Sequence, residues 1–62
     1  MNAARSGEVL FEYTRVGNTV RVTAVDATSG TEVTIQVPAN LGQQDMQKAA
    51  MRKLEYVLSK KK

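Results

Sequence analysis

The chain has 62 residues, with nine Lys or Arg against six Asp or Glu and no cysteine, histidine or tryptophan. Hydrophobic residues make up 42% and charged residues 24%, the composition of one small globular domain rather than of a disordered or fibrous chain. The lack of Cys and His excludes disulfide frameworks, thiol chemistry and the usual zinc and iron–sulfur sites, so neither a metal nor a cofactor is expected.

The start of the chain, Met1 to Gly7, is polar and carries no apolar signal-peptide core. No run approaches the ~18 apolar residues of a membrane span, so a cytoplasmic protein without membrane contact is expected. Residues 1–7 read as a flexible N-terminus, residues 8–59 as a single domain and residues 60–62 as a basic tail.

From Glu8 to Val37 apolar residues recur with a period of two, the mark of half-buried strands. The first strand is expected over Glu8–Arg15, with Val9, Phe11 and Tyr13 on the core face. The second covers Thr19–Asp26, with Val20, Val22 and Ala24 inward. The third covers Thr31–Val37, with Val33, Ile35 and Val37 inward. β-Branched residues dominate all three, as a pleated surface packed on one side prefers.

The turns test that assignment. Gly17-Asn18 suits a two-residue type II′ hairpin loop, because glycine supplies the positive φ at its first position. This loop sets Tyr13 opposite Val22 and Phe11 opposite Ala24. The second turn, Asp26 to Thr31, opens on a side-chain acceptor and closes on a glycine suited to the left-handed region. It sets Ala24 opposite Val33, Val22 opposite Ile35 and Val20 opposite Val37. A slip of one residue would turn these side chains to the wrong face. An antiparallel meander of order 1-2-3 follows.

Pro38 cannot donate to a ladder and is expected to end the third strand. Asn40, with Gln43 three residues on, reads as a helix cap with a partial capping box. A helix then runs from about Leu41 to about Ser59. Met46, Ala50, Leu54, Val57 and Leu58 make its apolar stripe, widened by Met51. The fold class is α+β: a three-stranded antiparallel sheet with one C-terminal helix on one face, β-β-β-α. Its core is small and has no covalent or metal support, so the isolated chain is marginal. Both edge strands look unprotected by proline or bulges, which makes self-association through an edge one way to gain stability.

Little in the chain carries catalytic chemistry. General acid–base catalysis most often uses histidine, which is absent. Glu12 and Glu32 fall on the open outer face of the sheet, Glu12 diagonal to Arg21, and read as a solvated polar face. Ser6, Ser29 and Ser59 have no base near them in sequence, and the four glycines are too dispersed for a phosphate loop. The expectation is a protein that is not an enzyme.

Two surfaces could bind. The outer sheet face has rows Leu10-Val25-Glu32, Glu12-Thr23-Thr34 and Thr14-Arg21-Gln36, and its candidate protein-interface residues are Leu10, Glu12, Arg21, Thr23, Val25 and Thr34. Isolated apolar residues on a surface are ordinary, so Leu10 and Val25 also fit a packing role. Phe11 and Tyr13 are assigned to the core, so the outer face lacks the stacking aromatics of a single-strand-binding sheet. The other surface is the basic helix, with Lys48, Arg52, Lys53, Tyr56, Lys60, Lys61 and Lys62 as candidate nucleic-acid contacts. Cations near a helix C-terminus also oppose its dipole, ~0.3–1 kcal/mol each, which explains several of them without a ligand. The leading expectation is a small protein-interaction module that meets an unknown partner or itself. The alternative is weak, largely sequence-independent nucleic-acid binding through the helix.

The residues Gly7-Glu8-Val9, Phe11, Arg15-Val16-Gly17-Asn18, Val22-Thr23-Ala24, Asp26, Ser29-Gly30-Thr31-Glu32-Val33 and Pro38 form a pattern together with Arg52-Lys53-Leu54 and Tyr56-Val57-Leu58. This pattern resembles a family of very short uncharacterised alphaproteobacterial proteins, classed as a domain of unknown function. The resemblance runs from about Gly7 to Lys60 and rests on turn and core positions. It implies a bacterial cytoplasmic origin and supplies no catalytic or binding residues to carry over.

Overall fold

The structure is a computed structural model and describes residues 8–60. The elements in chain order are β1 (Val9–Val16), β2 (Thr19–Asp26), β3 (Glu32–Pro38) and α1 (Gln43–Lys60). The strands form one antiparallel sheet of order β1-β2-β3, with the helix on one face. Residues 1–7, Lys61 and Lys62 lie outside the described residues.

Turn chemistry sets the register. Gly17 has φ +60° and no non-glycine residue among the described residues has a positive φ, so only the first loop position is left-handed, as a type II′ hairpin requires. Tyr13 pairs with Val22 and Phe11 with Ala24, as expected. At the second turn the Gly30 amide donates to the Asp26 carbonyl (2.7 Å), and Gly30 takes φ +77°. The Ser29 amide and hydroxyl both donate to Asp26 Oδ2, at 3.1 and 2.7 Å. Ala24 then pairs with Val33, Val22 with Ile35 and Val20 with Val37.

Three elements, β1, β3 and α1, differ in their bounds from the sequence reading. The first strand is shifted by one residue, running from Val9 to Val16. Pro38 stays in the ladder, opposite Thr19, at the end of β3. It is tolerated because β3 is an edge strand. The helix starts at Gln43, and Asn40 is not its cap. The Leu41 amide donates to the Pro38 carbonyl (3.1 Å), which commits Asn40 to a turn. The Met46 amide donates to the Gly42 carbonyl (3.0 Å), making Gly42 the cap residue and placing Asp45, rather than Gln43, at the third helical position. Leu41 and Met46 then occupy the two positions of a hydrophobic staple, and both pack with the core. The helix runs on through Lys60, one residue past the expected domain end.

The core comprises Val20, Val22, Ala24 and Val33 from the sheet and Met46, Ala50 and Leu54 from the helix. Met51, Val57 and Leu58 flank it, so the expected apolar stripe faces the sheet. The helix lies across β2 and β3 and makes only weak contact with β1. Off-centre placement has a direct consequence for β1. Val9 and Phe11 are half-buried, while Tyr13, assigned to the core from sequence, is 37% exposed.

Candidate functional site

Main-chain hydrogen bonding among the described residues identifies which groups of β1 they leave free. The Asp26 amide donates to the Thr31 carbonyl (2.8 Å), so even-numbered residues of β2 bond to β3. Its odd-numbered residues therefore bond to β1, whose opposing residues are Leu10, Glu12, Thr14 and Val16. The Ala27 amide, donating to the Glu8 carbonyl at 2.9 Å, continues the same alternation. Val9, Phe11, Tyr13 and Arg15 consequently aim their N–H and C=O groups at the open edge, and their side chains share the helix-bearing face.

Alternation gives the opposite edge a different character. Residues of β3 pointing away from β2 are Glu32, Thr34, Gln36 and Pro38, and Pro38 has no N–H to offer. Both outward sets carry one charged residue, Arg15 on β1 and Glu32 on β3, but only β3 also carries a proline, a common means of blunting an edge. The expectation that both edges are unprotected is thus corrected: β3 is guarded and β1 is not.

Side chains make the same distinction. Among the described residues four large apolar side chains are exposed, Leu10 (44%), Tyr13 (37%), Val16 (40%) and Tyr56, and three of the four stand on β1. Leu10 and Val16 lie on the outer face and Tyr13 on the inner one. An edge strand open to water normally alternates apolar and polar faces, whereas apolar residues on both faces suit a strand covered on both sides. Beside β1, Phe11 and Met51 floor a groove of about 400 Å³ whose other lining residues are Gln44, Gln47 and Lys48. Tyr13, Leu41 and Met46 line a second hollow next to the same strand, with Val20 and Gln43.

All six outer-face candidates stand together on the side away from the helix. The cross-strand pairs Leu10–Val25, Glu12–Thr23 and Thr23–Thr34 are those deduced from sequence. Leu10, Glu12, Arg21 and Thr34 are exposed, while Thr23 and Val25 are half-buried. The Thr23 and Thr34 hydroxyls are 3.1 Å apart, and Gln36 Nε2 donates to Thr19 Oγ1 (2.8 Å), so the middle of this face is tied to itself. The sequence reading missed Tyr13 and Val16. Val16 was legible as an apolar residue beside a turn, but Tyr13 becomes a surface residue only through the lateral position of the helix.

On the helix, Lys48, Arg52, Tyr56 and Lys60 succeed one another at intervals of four and form a single exposed ridge, with Lys53 beside it. Lys60 Nζ sits over the Tyr56 ring, 5.2 Å from its centroid. An exposed cation–π contact of this kind contributes ~0.5–1 kcal/mol and requires no ligand. Lys61 and Lys62, the last two candidates, lie outside the described residues. No group of three or more His, Cys, Asp or Glu among the described residues is placed to hold a metal ion. No described helix is long and apolar enough to cross a membrane.

The model of one family, Domain of unknown function (DUF6898), matches residues 6–62, nearly the whole chain. The chain belongs to the DUF6898 family. Its match covers all three strands and the helix, so the open β1 edge and the basic ridge both lie within the DUF6898 domain. No curated protein and no solved structure matches the chain.

Proposed function

We propose that the protein is a small non-enzymatic interaction module of the cytoplasm, docking a protein partner along β1 and the adjoining outer face of the sheet. One observation carries this reading: β1 combines main-chain groups that no other described residue uses with exposed apolar side chains on both its faces. A strand added to such an edge gains main-chain hydrogen bonds for affinity and side-chain pairs for specificity. Leu10, Tyr13 and Val16 would supply apolar contact area, with Glu12 and Arg21 at the rim.

The test is photo-crosslinking in the cell of origin. A photoreactive amino acid in place of Tyr13 is expected to capture a partner, and one in place of Glu55, on the exposed side of α1, is not. Equal capture at both positions, or at neither, would overturn the reading.

The helix ridge supports a second reading, weak binding of nucleic-acid phosphates by Lys48, Arg52 and Lys60, with Lys53 beside them. Four-residue spacing aligns these cations with Tyr56 along a face clear of the core. A log–log salt dependence of about −0.9 per neutralised duplex phosphate is the expected signature.

A further inference from the structure

We infer that the partner of β1 is a second copy of this chain, paired antiparallel about a two-fold axis at Tyr13 to give a continuous six-stranded sheet. The inference rests on the reading of β1 as the docking edge and adds to it the occupant and the register.

Self-complementarity of the strand is the argument. Directly opposed residues in an antiparallel pair project on the same face, so a symmetric pairing that joins like faces must place its axis at a residue. An axis at Glu12 sets two carboxylates directly opposite each other, which is destabilising. An axis at Phe11 leaves Val16 without an apolar partner, and one at Thr14 does the same to Leu10. With the axis at Tyr13, Leu10 faces the partner's Val16 on the outer side and Glu12 faces the partner's Thr14. On the inner side Tyr13 meets the partner's Tyr13, and Phe11 meets the partner's Arg15. Every exposed large apolar residue of β1 is then matched, each carboxylate sits opposite a hydroxyl, and an arginine lies against an aromatic ring.

Main-chain geometry agrees with this axis. Phe11, Tyr13 and Arg15 carry the outward N–H and C=O groups. In this register they face the partner's Arg15, Tyr13 and Phe11, and each such pair exchanges two bonds, about six in all. The bulk of α1 stands over β2 and β3, leaving β1 clear for the approach. Strand-to-strand contact over seven residues falls below the ~1,200 Å² lower bound of standard stable interfaces. A reversible, concentration-dependent dimer is therefore expected.

Sedimentation equilibrium between about 10 µM and 1 mM, with charge-swapped variants, reads both the state and the register. Leu10 and Val16 are exposed on the outer face, so the fold should survive their replacement, and circular dichroism checks that it does. L10K/V16K places like charges opposite each other twice and should weaken dimerisation at least tenfold. L10K/V16E places opposite charges there twice and should hold Kd within about threefold of the parent at low salt. An axis at Glu12 would give no such rescue, because Leu10 would then face Thr14. Equal weakening by both variants would overturn the register. A parent chain that stays monomeric at 1 mM would overturn the dimer. In that event, capture of a different protein by the Tyr13 photo-crosslinker would leave the interaction reading standing, whereas no capture would remove both.

Discussion

Replacing Leu54 with alanine tests the core on which the site depends. Leu54 is fully buried (0% exposed) on the sheet-facing side of α1, among Val20, Val22, Ala24, Val33, Met46 and Ala50. Truncating a buried leucine removes its transfer free energy and leaves a cavity, together ~2–5 kcal/mol. At ~0.05–0.15 kcal/mol per residue, a chain of this size has only ~3–9 kcal/mol of total stability. For a domain this small each kcal/mol moves Tm by ~8 °C, so Leu54→Ala should lower Tm by ~16–40 °C and leave part of the population unfolded at room temperature. Tyr56→Ala, two residues on but on the exposed ridge, should cost no more than the ~0.5–1 kcal/mol of its contact with Lys60. Thermal and urea unfolding followed by circular dichroism at fixed protein concentration measures both. Fixed concentration matters because association would itself raise Tm. A Leu54→Ala shift under 5 °C, or one equal to that of Tyr56→Ala, would refute the packing of helix on sheet.

Other consequences are smaller and equally specific. Gly17→Ala should destabilise by ~1–2 kcal/mol in urea unfolding although an added methyl meets nothing within 4 Å, because the cost is the +60° φ and not space. Gly42→Ser should stabilise by ~0.5–1 kcal/mol: the cap position gains a hydroxyl acceptor, its Cβ has room 3.9 Å from Asp45 Oδ2, and the unfolded chain loses freedom. Asp26→Ala should cost ~1–3 kcal/mol by the same assay, since it removes the acceptor that holds the Ser29 amide and hydroxyl in the second turn. If the helix ridge binds nucleic acid, K48Q/R52Q/K53Q should reduce the salt slope by ~0.9 for each duplex phosphate that the variant no longer neutralises, measured by fluorescence anisotropy. An unchanged slope would count against that second reading.

The strands were legible because three independent signals agreed: the period-two pattern, the glycine at the first hairpin and the Asp26–Gly30 turn. Each constrains the register, and a single slip would have broken the match among Val20, Val22 and Ala24 and their neighbours. The helix start was misread because Asn40 and Gln43 satisfy a capping pattern locally. Pro38, however, draws Asn40 into a turn two residues before the true cap. Gly42 gave no side-chain signal for that role, although Leu41 and Met46 at staple spacing could have marked it. Lateral placement of the helix was less accessible still. An apolar stripe says which helix face is buried, not which strands lie under it. Ala24 on β2 and Ala50 on α1 are both fully buried, and small side chains in that core let the helix settle over β2 and β3. Tyr13 is thereby left at the surface, and with it the feature that distinguishes one edge of the sheet from the other.

Amide hydrogen exchange along β1 tests the account most directly. In dilute solution the amides of Leu10, Glu12 and Thr14, bonded to β2, should be protected, while those of Phe11, Tyr13 and Arg15 should exchange rapidly. Raising the concentration toward 1 mM should slow Phe11, Tyr13 and Arg15 selectively as the edge is covered. Protection without alternation, or an edge that stays unprotected while amides elsewhere slow with concentration, would contradict β1 as the docking strand.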